Sequence, residues 1–327
     1  MKLSVIIPAY NVETTIQHTL DSICRQTMND LEIIIINDGS TDCTGEIVDS
    51  YAKRDDRIIV KHTINQGVTK TRLTGVCLST GEWIGFVDGD DFIDPNMFSR
   101  LMSNAIMYEA DISHCGYQMI FPDGRIHYFY NTGVLEVHDR TTGLCELLSG
   151  KKIEPGLCNK IYKKELFDKI IKYDLIPADI SINEDLLMNY YLFNNCHRSV
   201  FDDKCLYHYM IRAGSTTRAG FNLCKVQDPI RVKEIIMSNC DQSIVNAATK
   251  SYINTCITAY NCLLISECLE SNLILSEVRD RIISMKSDFC KLEKKRKIVA
   301  ILISNFPALY KFIYILYCRW IQNSPYE

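Results

Sequence analysis

Over the first hundred residues, short aliphatic runs alternate with segments whose apolar positions recur every three or four residues. Leu3–Ile7 is an apolar run ended by Pro8. Between Thr14 and Gln26, Ile16, Leu20 and Ile23 follow at helical spacing, and Asn11 is placed to cap that helix. Leu31–Ile36 is almost continuously aliphatic, as a strand covered on both faces must be. Ser40 or Thr41 is placed to cap a second helix carrying Ile47, Val48 and Tyr51. Ile58–Val60 predicts a third strand, Val68–Leu78 a third helix and Trp83–Val87 a fourth strand. Asp94-Pro95 reads as the N-cap and first residue of a helix running through Met107. This alternation predicts an α/β fold with a twisted, mostly parallel sheet.

The pattern changes at Asp111. Ile112–Phe121 and Arg125–Val137 predict two strands joined by the turn Pro122-Asp123-Gly124. A mixed α/β region continues to about Thr217, and the text is helical from about Asn222. A catalytic domain over 1–220 and a helical C-terminal region over 221–327 are therefore expected. In that second region Lys294-Lys295-Arg296-Lys297 precedes Ile298–Ile321, an apolar and aromatic stretch interrupted by Asn305, Pro307, Lys311 and Arg319. Those interruptions argue against a clean membrane span. A helix lying in the membrane interface beside a polybasic patch is expected, with packing onto the domain as the alternative.

Composition narrows the setting. Hydrophobic residues make up 47% of the 327, enough for a sizeable core, and the formal net charge of −4 disfavours nucleic acid as a partner. The 15 cysteines are scattered without a CxxC pair, and Leu3–Ile7 is too short for a signal peptide. The expected compartment is the reducing cytosol, with free thiols; Cys256, Cys262 and Cys268 read as residues of packed helices.

The chemistry concentrates in two acidic clusters, Asp88-Gly89-Asp90-Asp91 and Glu184-Asp185. Acids bunched at the end of a strand repel one another and must be solvated or neutralised by a cation. Mg2+ or Mn2+, held by one or two carboxylates and by substrate phosphates, meets that need. In open α/β sheets ligands bind outside the carboxyl ends of the strands. Four loops fall there: Pro8-Ala9-Tyr10-Asn11, Asn37-Asp38-Gly39-Ser40, Asn65-Gln66-Gly67 with Arg72 one turn into the next helix, and the acidic cluster. Asp38 suits the imide N–H of uracil, Tyr10 the face of a base or sugar, and Arg72 a phosphate or base edge. Asp90 suits the metal, Asp88 the ribose or a metal-bound water, and Asp91 a local turn cap. Glu184 or Asp185 supplies a general base.

These residues in this order resemble family-two glycosyltransferases with the glycosyltransferase A fold. The resemblance rests on Ser4–Asn11, Ile36–Asp42, Asn65-Gln66-Gly67, Asp88–Asp91 and Asn183-Glu184-Asp185, and covers about residues 1–217. It implies a Rossmann-like mixed sheet flanked by helices, a uridine diphosphate sugar donor and inversion at the anomeric carbon. It implies nucleotide contacts along Pro8, Ala9, Tyr10, Asn11, Asp38, Arg72, Asp88 and Gly89, metal work at Asp88 and Asp90, and a catalytic base at Asp185 with Glu184 in reserve. The family pattern around Arg72 departs here, reading Lys70-Thr71-Arg72-Leu73. Later matches assign Arg212 and Ser215 to the diphosphate, His208 to the metal and Lys160 to the sugar or acceptor pocket. The expected acceptor is a glycan or lipid-linked saccharide, at the inner face of the cell membrane. Competing classes are a non-catalytic sugar-nucleotide binding protein and a sugar-phosphate nucleotidyltransferase; Pro8–Asn11 lacks the glycine-rich basic loop of the latter.

Overall fold

The computed structural model describes residues 1–129, 131–212, 221–266 and 271–322. Two compact units emerge, Met1–Asp179 with Glu184–Ala219, and Ile180–Asn183 with Gly220–Glu327.

The first unit opens with the alternation its periodicity predicts: β1 (Leu3–Ala9), α1 (Ile16–Cys24), β2 (Leu31–Asp38), α2 (Thr44–Ala52), β3 (Ile58–Thr63), α3 (Val68–Leu78) and β4 (Trp83–Phe86). It continues with β5 (Phe92–Ile93), α4 (Met97–Met107), β6 (Ile112–Ile120), β7 (Ile126–Tyr128), β8 (Leu135–Asp139) and α5 (Arg140–Ser149). β9 (Lys160–Lys163), α6 (Asp168–Tyr173), α7 (Glu184–Asn195) and β10 (Arg198–Met210) complete it.

The strands form one sheet in the order β3-β2-β1-β4-β9-β6-β10-β5, with β7 added to β6 and β8 to β10. β1 to β4 are mutually parallel, β9 runs antiparallel between β4 and β6, and β10 runs parallel to β6. Two reversals across β9 restore direction. The carboxyl end of β10 therefore lies on the same rim as those of β1 to β4, although more than a hundred residues separate β4 from it in sequence. Every residue of β2 is buried, which explains its unbroken aliphatic text. Gly75 lets α3 settle against the sheet, since a Cβ there would collide with the Ile6 side chain.

Three predicted caps are not caps. Asn11 lies at φ +49°, and its side-chain oxygen accepts from Thr41 N at 2.8 Å. Ser40 Oγ accepts from Asn11 N at 3.1 Å, and α2 begins after Cys43 rather than after Ser40 or Thr41. Pairing of Ala9 with Asn37 sets the loops after β1 and β2 side by side, so their polar residues stitch loop to loop instead of closing helices. Asp94 accepts from Asn96 N at 2.9 Å, and α4 starts at Met97. The predicted strand Arg125–Val137 is broken in two. Its second half, β8, pairs with β10 because Asp203 takes the backbone N–H groups of Thr132 and Gly133, each at 2.8 Å.

The second unit contains α8 (Cys224–Asn239), α9 (Val245–Ile265), α10 (Ser271–Ser284), α11 (Lys294–Asn305) and α12 (Pro307–Gln322), with no strand among its described residues. Ile253, Cys256, Ile257, Tyr260, Val278, Ile282, Ala300, Ile303 and Tyr310 form its core. Asp228 on α8 accepts from Ser181 N at 2.9 Å and Ile182 N at 3.1 Å, tying that short segment to the helices. All described cysteines are free thiols; Cys256 is buried, Cys262 half-buried, and Cys268 lies outside the described residues.

Candidate active site

Asp38 closes β2 and is almost wholly buried. Its Oδ1 accepts from Thr63 Oγ1 and Gln66 N, and its Oδ2 from Gly67 N, all at 3.0 Å. A carboxylate offers about four acceptor positions. One position on Oδ2 is therefore left for a ligand donor. The Asn65-Gln66-Gly67 segment serves first to hold this carboxylate. Gly39, at φ +72°, permits the close approach, because a Cβ there would lie 2.7 Å from Asn65 N. Behind the turn, Asn37 Nδ2 meets His62 Nδ1 at 2.9 Å, and His62 Nε2 lies 3.1 Å from Asp49. Sequence reasoning missed this supporting pair because no local pattern links residues 37, 49 and 62.

Arg72 is 7% exposed, so its predicted open contact with phosphate or base gives way to an internal one. Its Nη2 donates to Asp88 Oδ1 at 2.9 Å, and Nη1 lies 3.5 Å from Glu184 Oε1. Burial works against the charge, yet Asp88 and Glu184 hold this guanidinium more firmly protonated than a free arginine. One buried cation thus joins the two acidic clusters.

Glu184 and Asp185 occupy the first turn of α7, where the helix dipole favours negative charge. Asp185 Oδ1 accepts from Leu186 N at 2.7 Å. Burial raises both carboxyls above their ordinary range; Asp185 pushes Glu184 further up, Asp88 adds to both, and Arg72 opposes the rise. A carboxylate raised in this way is a stronger base near neutral pH.

Asp91 is not a simple turn cap. It is 1% exposed, its Oδ2 accepts from Tyr207 OH at 2.6 Å, and its Oδ1 accepts from Met210 N at 2.9 Å. Burial, then the neighbouring Asp88, pushes its carboxyl up to about 7. The acidic loop is thereby fastened to the end of β10. Two residues on, Arg212 Nη2 donates to the Asp90 carbonyl and lies 3.0 Å from Asp90 Oδ2. The Asp90 and Asp88 side chains keep 39% and 32% of their exposure. Two accessible carboxylates are hard oxygen donors of the kind that Mg2+ or Mn2+ takes together with phosphate. Among the described residues, no group of three or more His, Cys, Asp or Glu side chains is arranged to hold a metal unaided.

The remaining predicted residues divide. Pro8 and Gly89 lie against one another, since a Cβ on Gly89 would sit 3.2 Å from the Pro8 carbonyl. Ala9 is buried, whereas Tyr10 is 49% exposed with its ring open to a ligand. His208 Nδ1 meets Gln118 Nε2 at 2.5 Å, its ring stacks on Phe92 at 4.5 Å, and its titratable neighbours are Asp94 and His18 rather than the expected metal partners Asp88 and Asp90. Lys160 does not line an open pocket. It is fully buried, and its ammonium donates to Glu154 O at 2.8 Å, Gly156 O at 2.6 Å and Asn159 Oδ1 at 2.6 Å. All three protons are engaged, so Lys160 braces the turn before β9. Burial lowers it to about 8, and its charge in turn draws the Asp185 carboxyl downward. Ser215 lies outside the described residues.

A mixed sheet whose parallel strands end in a carboxylate turn and an acidic loop, with a buried arginine from α3 and an acid pair from α7 beside them, defines a glycosyltransferase A fold. The chain belongs to glycosyl transferase family 2, whose model matches residues 4–171. It is 37% identical over 218 residues to the uncharacterized glycosyltransferase EpsJ of Bacillus subtilis, covering 66% of this chain and 62% of that protein. The chain thus spans under two thirds of that relative's length. Its structure is similar to S. aureus TarS 1–349 in complex with UDP-GlcNAc, with a TM-score of 0.77, 20% identity, and coverage of 100% of this chain and 93% of that one. It is also similar to the mannosyltransferase PcManGT of Pyrobaculum calidifontis in complex with GDP-Man and Mn2+, with a TM-score of 0.54, 14% identity, and coverage of 94% and 87%.

Proposed function

We propose that this protein is an inverting glycosyltransferase that moves a hexose or N-acetylhexosamine from a UDP-sugar to a hydroxyl of a glycan or lipid-linked saccharide. It would serve cell-surface polysaccharide synthesis at the cytoplasmic face of the membrane. The observation that carries the reading is the Arg72 bridge between Asp88 and Glu184, which brings a diphosphate-facing turn and a raised-pKa carboxyl pair to one place. The UDP-GlcNAc in the TarS complex supports a uridine donor.

Asp38, with its one remaining acceptor position, takes the base, and Tyr10 lies against it. Asp88 and Asp90 would hold Mg2+ or Mn2+, which supplies charge neutralisation for the departing diphosphate. Arg212 and Ser215 are assigned to that diphosphate. The acceptor oxygen forms a bond to the anomeric carbon as the bond to the diphosphate breaks. Asp185 takes the acceptor's proton, and Glu184, held by Arg72, stands in reserve as base.

Release of nucleoside diphosphate from a panel of nucleotide sugars, with Mn2+ and a saccharide acceptor, tests the reading. Asp185→Asn should lower kcat on the order of 10²–10⁴-fold while leaving donor binding nearly intact. An Asp185→Asn enzyme with undiminished kcat removes the base assignment, and the absence of turnover with every donor removes the catalytic one.

A further inference from the structure

α11 and α12 turn an unusual surface outward. Lys294, Lys295, Arg296, Lys297, Lys311 and Arg319 all fall after Glu293, and no Asp or Glu follows until Glu327. In a chain of net charge −4, that is a local concentration of positive charge. All six cations are exposed.

The exposed apolar residues of α12 lie to one side of that helix. Tyr310 packs inward against Tyr260 and donates to Asn261 at 2.8 Å, and Tyr314 stacks on it, so the stripe 310, 314 and 318 seats α12 on its own unit. Leu309, Phe312, Ile313, Leu316, Tyr317 and Trp320 face the other way, each between 46% and 69% exposed. At 100° per residue these six fall within a sector roughly 140° wide. On α11 the positions Lys294, Lys297, Ile298 and Ile301 repeat at three and four residues, running from cations to apolar side chains as they approach the joint at Phe306. Phe306 is itself 57% exposed.

We propose that this face docks on an anionic lipid bilayer, lying in the headgroup region. The 12 and 16 residues of α11 and α12 fall short of the about 20 needed to cross a hydrocarbon core, and no described helix is long and apolar enough to do so. Aromatic rings on the apolar side of α12, with a run of cations at the start of the preceding helix, are the side chains that partition to the membrane interface. Absence of acidic groups over the whole stretch matches a negatively charged partner. A second copy of the same cationic face would repel it. The surface stands independently of the sugar chemistry.

Trp320 supplies the readout. The chain has two tryptophans, and Trp83 is 4% exposed while Trp320 is 69% exposed. Full-length protein mixed with phosphatidylglycerol–phosphatidylcholine vesicles should co-sediment with them, and its tryptophan emission should shift to the blue. Trp320→Phe should still co-sediment but lose the shift. The quadruple variant Lys294→Gln, Lys295→Gln, Arg296→Gln, Lys297→Gln, on an exposed turn that leaves the core intact, should weaken partitioning on the order of a hundredfold or more. Binding to pure phosphatidylcholine should be weak for all of them. No co-sedimentation, or co-sedimentation that the quadruple variant and neutral vesicles leave unchanged, overturns the proposal. Self-association lost in Phe312→Ser, without vesicle binding, overturns it in favour of a second copy. Donor cleavage measured without vesicles tests catalysis separately.

Discussion

Replacing Arg72 with methionine keeps most of the side-chain volume and deletes a cation that joins the two acidic clusters. The guanidinium is 2.9 Å from Asp88 and 3.5 Å from Glu184, at 7% exposure, so water cannot readily take its place. Removing one partner of a buried ion pair costs about 3–5 kcal/mol, because the other charge stays behind uncompensated. Asp88 retains partial exposure and can recover some hydration, which places the cost near the lower end. For a domain of this size about 3 kcal/mol corresponds to a fall in Tm of roughly 6–12 °C. The loss should depend on pH. Arg72 opposes the upward shift of Glu184 and Asp185, so both carboxyls rise further without it. A carboxyl raised above its unfolded value supports the fold below that value and withdraws support as pH rises through the folded one. The Tm gap between wild type and Arg72→Met should therefore widen from about pH 5 to about pH 8. Arg72→Lys should recover only part of the gap, since a point charge serves one carboxylate and not two. Thermal unfolding followed by circular dichroism across that range decides the matter. A variant that melts with the wild type, or a gap that ignores pH, refutes the bridging role.

Lys160→Met leaves three acceptors in the turn before β9 without donors, and a loss of about 1–3 kcal/mol in urea unfolding is expected. Because Lys160 draws the Asp185 carboxyl downward, its removal should also move the acidic limb of the kcat/KM profile to higher pH, and an unmoved limb would separate the two residues. His114 is wholly buried on β6, neither ring nitrogen has a hydrogen-bond partner among the described residues, and the ring stacks on Phe201 at 4.8 Å. Burial, with Lys160 and His138 nearby, holds it neutral well below its usual range. A histidine depressed in this way stabilises the fold above its unfolded pKa and ceases to as pH falls below about 6.5. His114→Phe should raise the unfolding free energy measured with urea at neutral pH by about 1–2 kcal/mol and flatten the decline below it; a lower free energy would show that the imidazole has a partner.

The sequence by itself determined the alternation from β1 to β4, the helix Val68–Leu78 and the arrival of four polar loops on one rim. Each of these is written in spacings of two to four residues, which the backbone periods convert directly into faces and ends. Tertiary structure alone decided what the polar residues of those loops do. Asn11 and Ser40 read as caps, and become cross-loop ties only once β1 pairs with β2. Arg72 reads as an open ligand contact, until α3 sinks against Ile6 and places it between Asp88 and Glu184. Asp91 finds Tyr207, 116 residues away, because β9 reverses the sheet twice and returns the end of β10 to the same rim. Partners so far apart leave no mark on local spacing; strand order and register choose them, and burial then makes a polar group left without one too costly to keep.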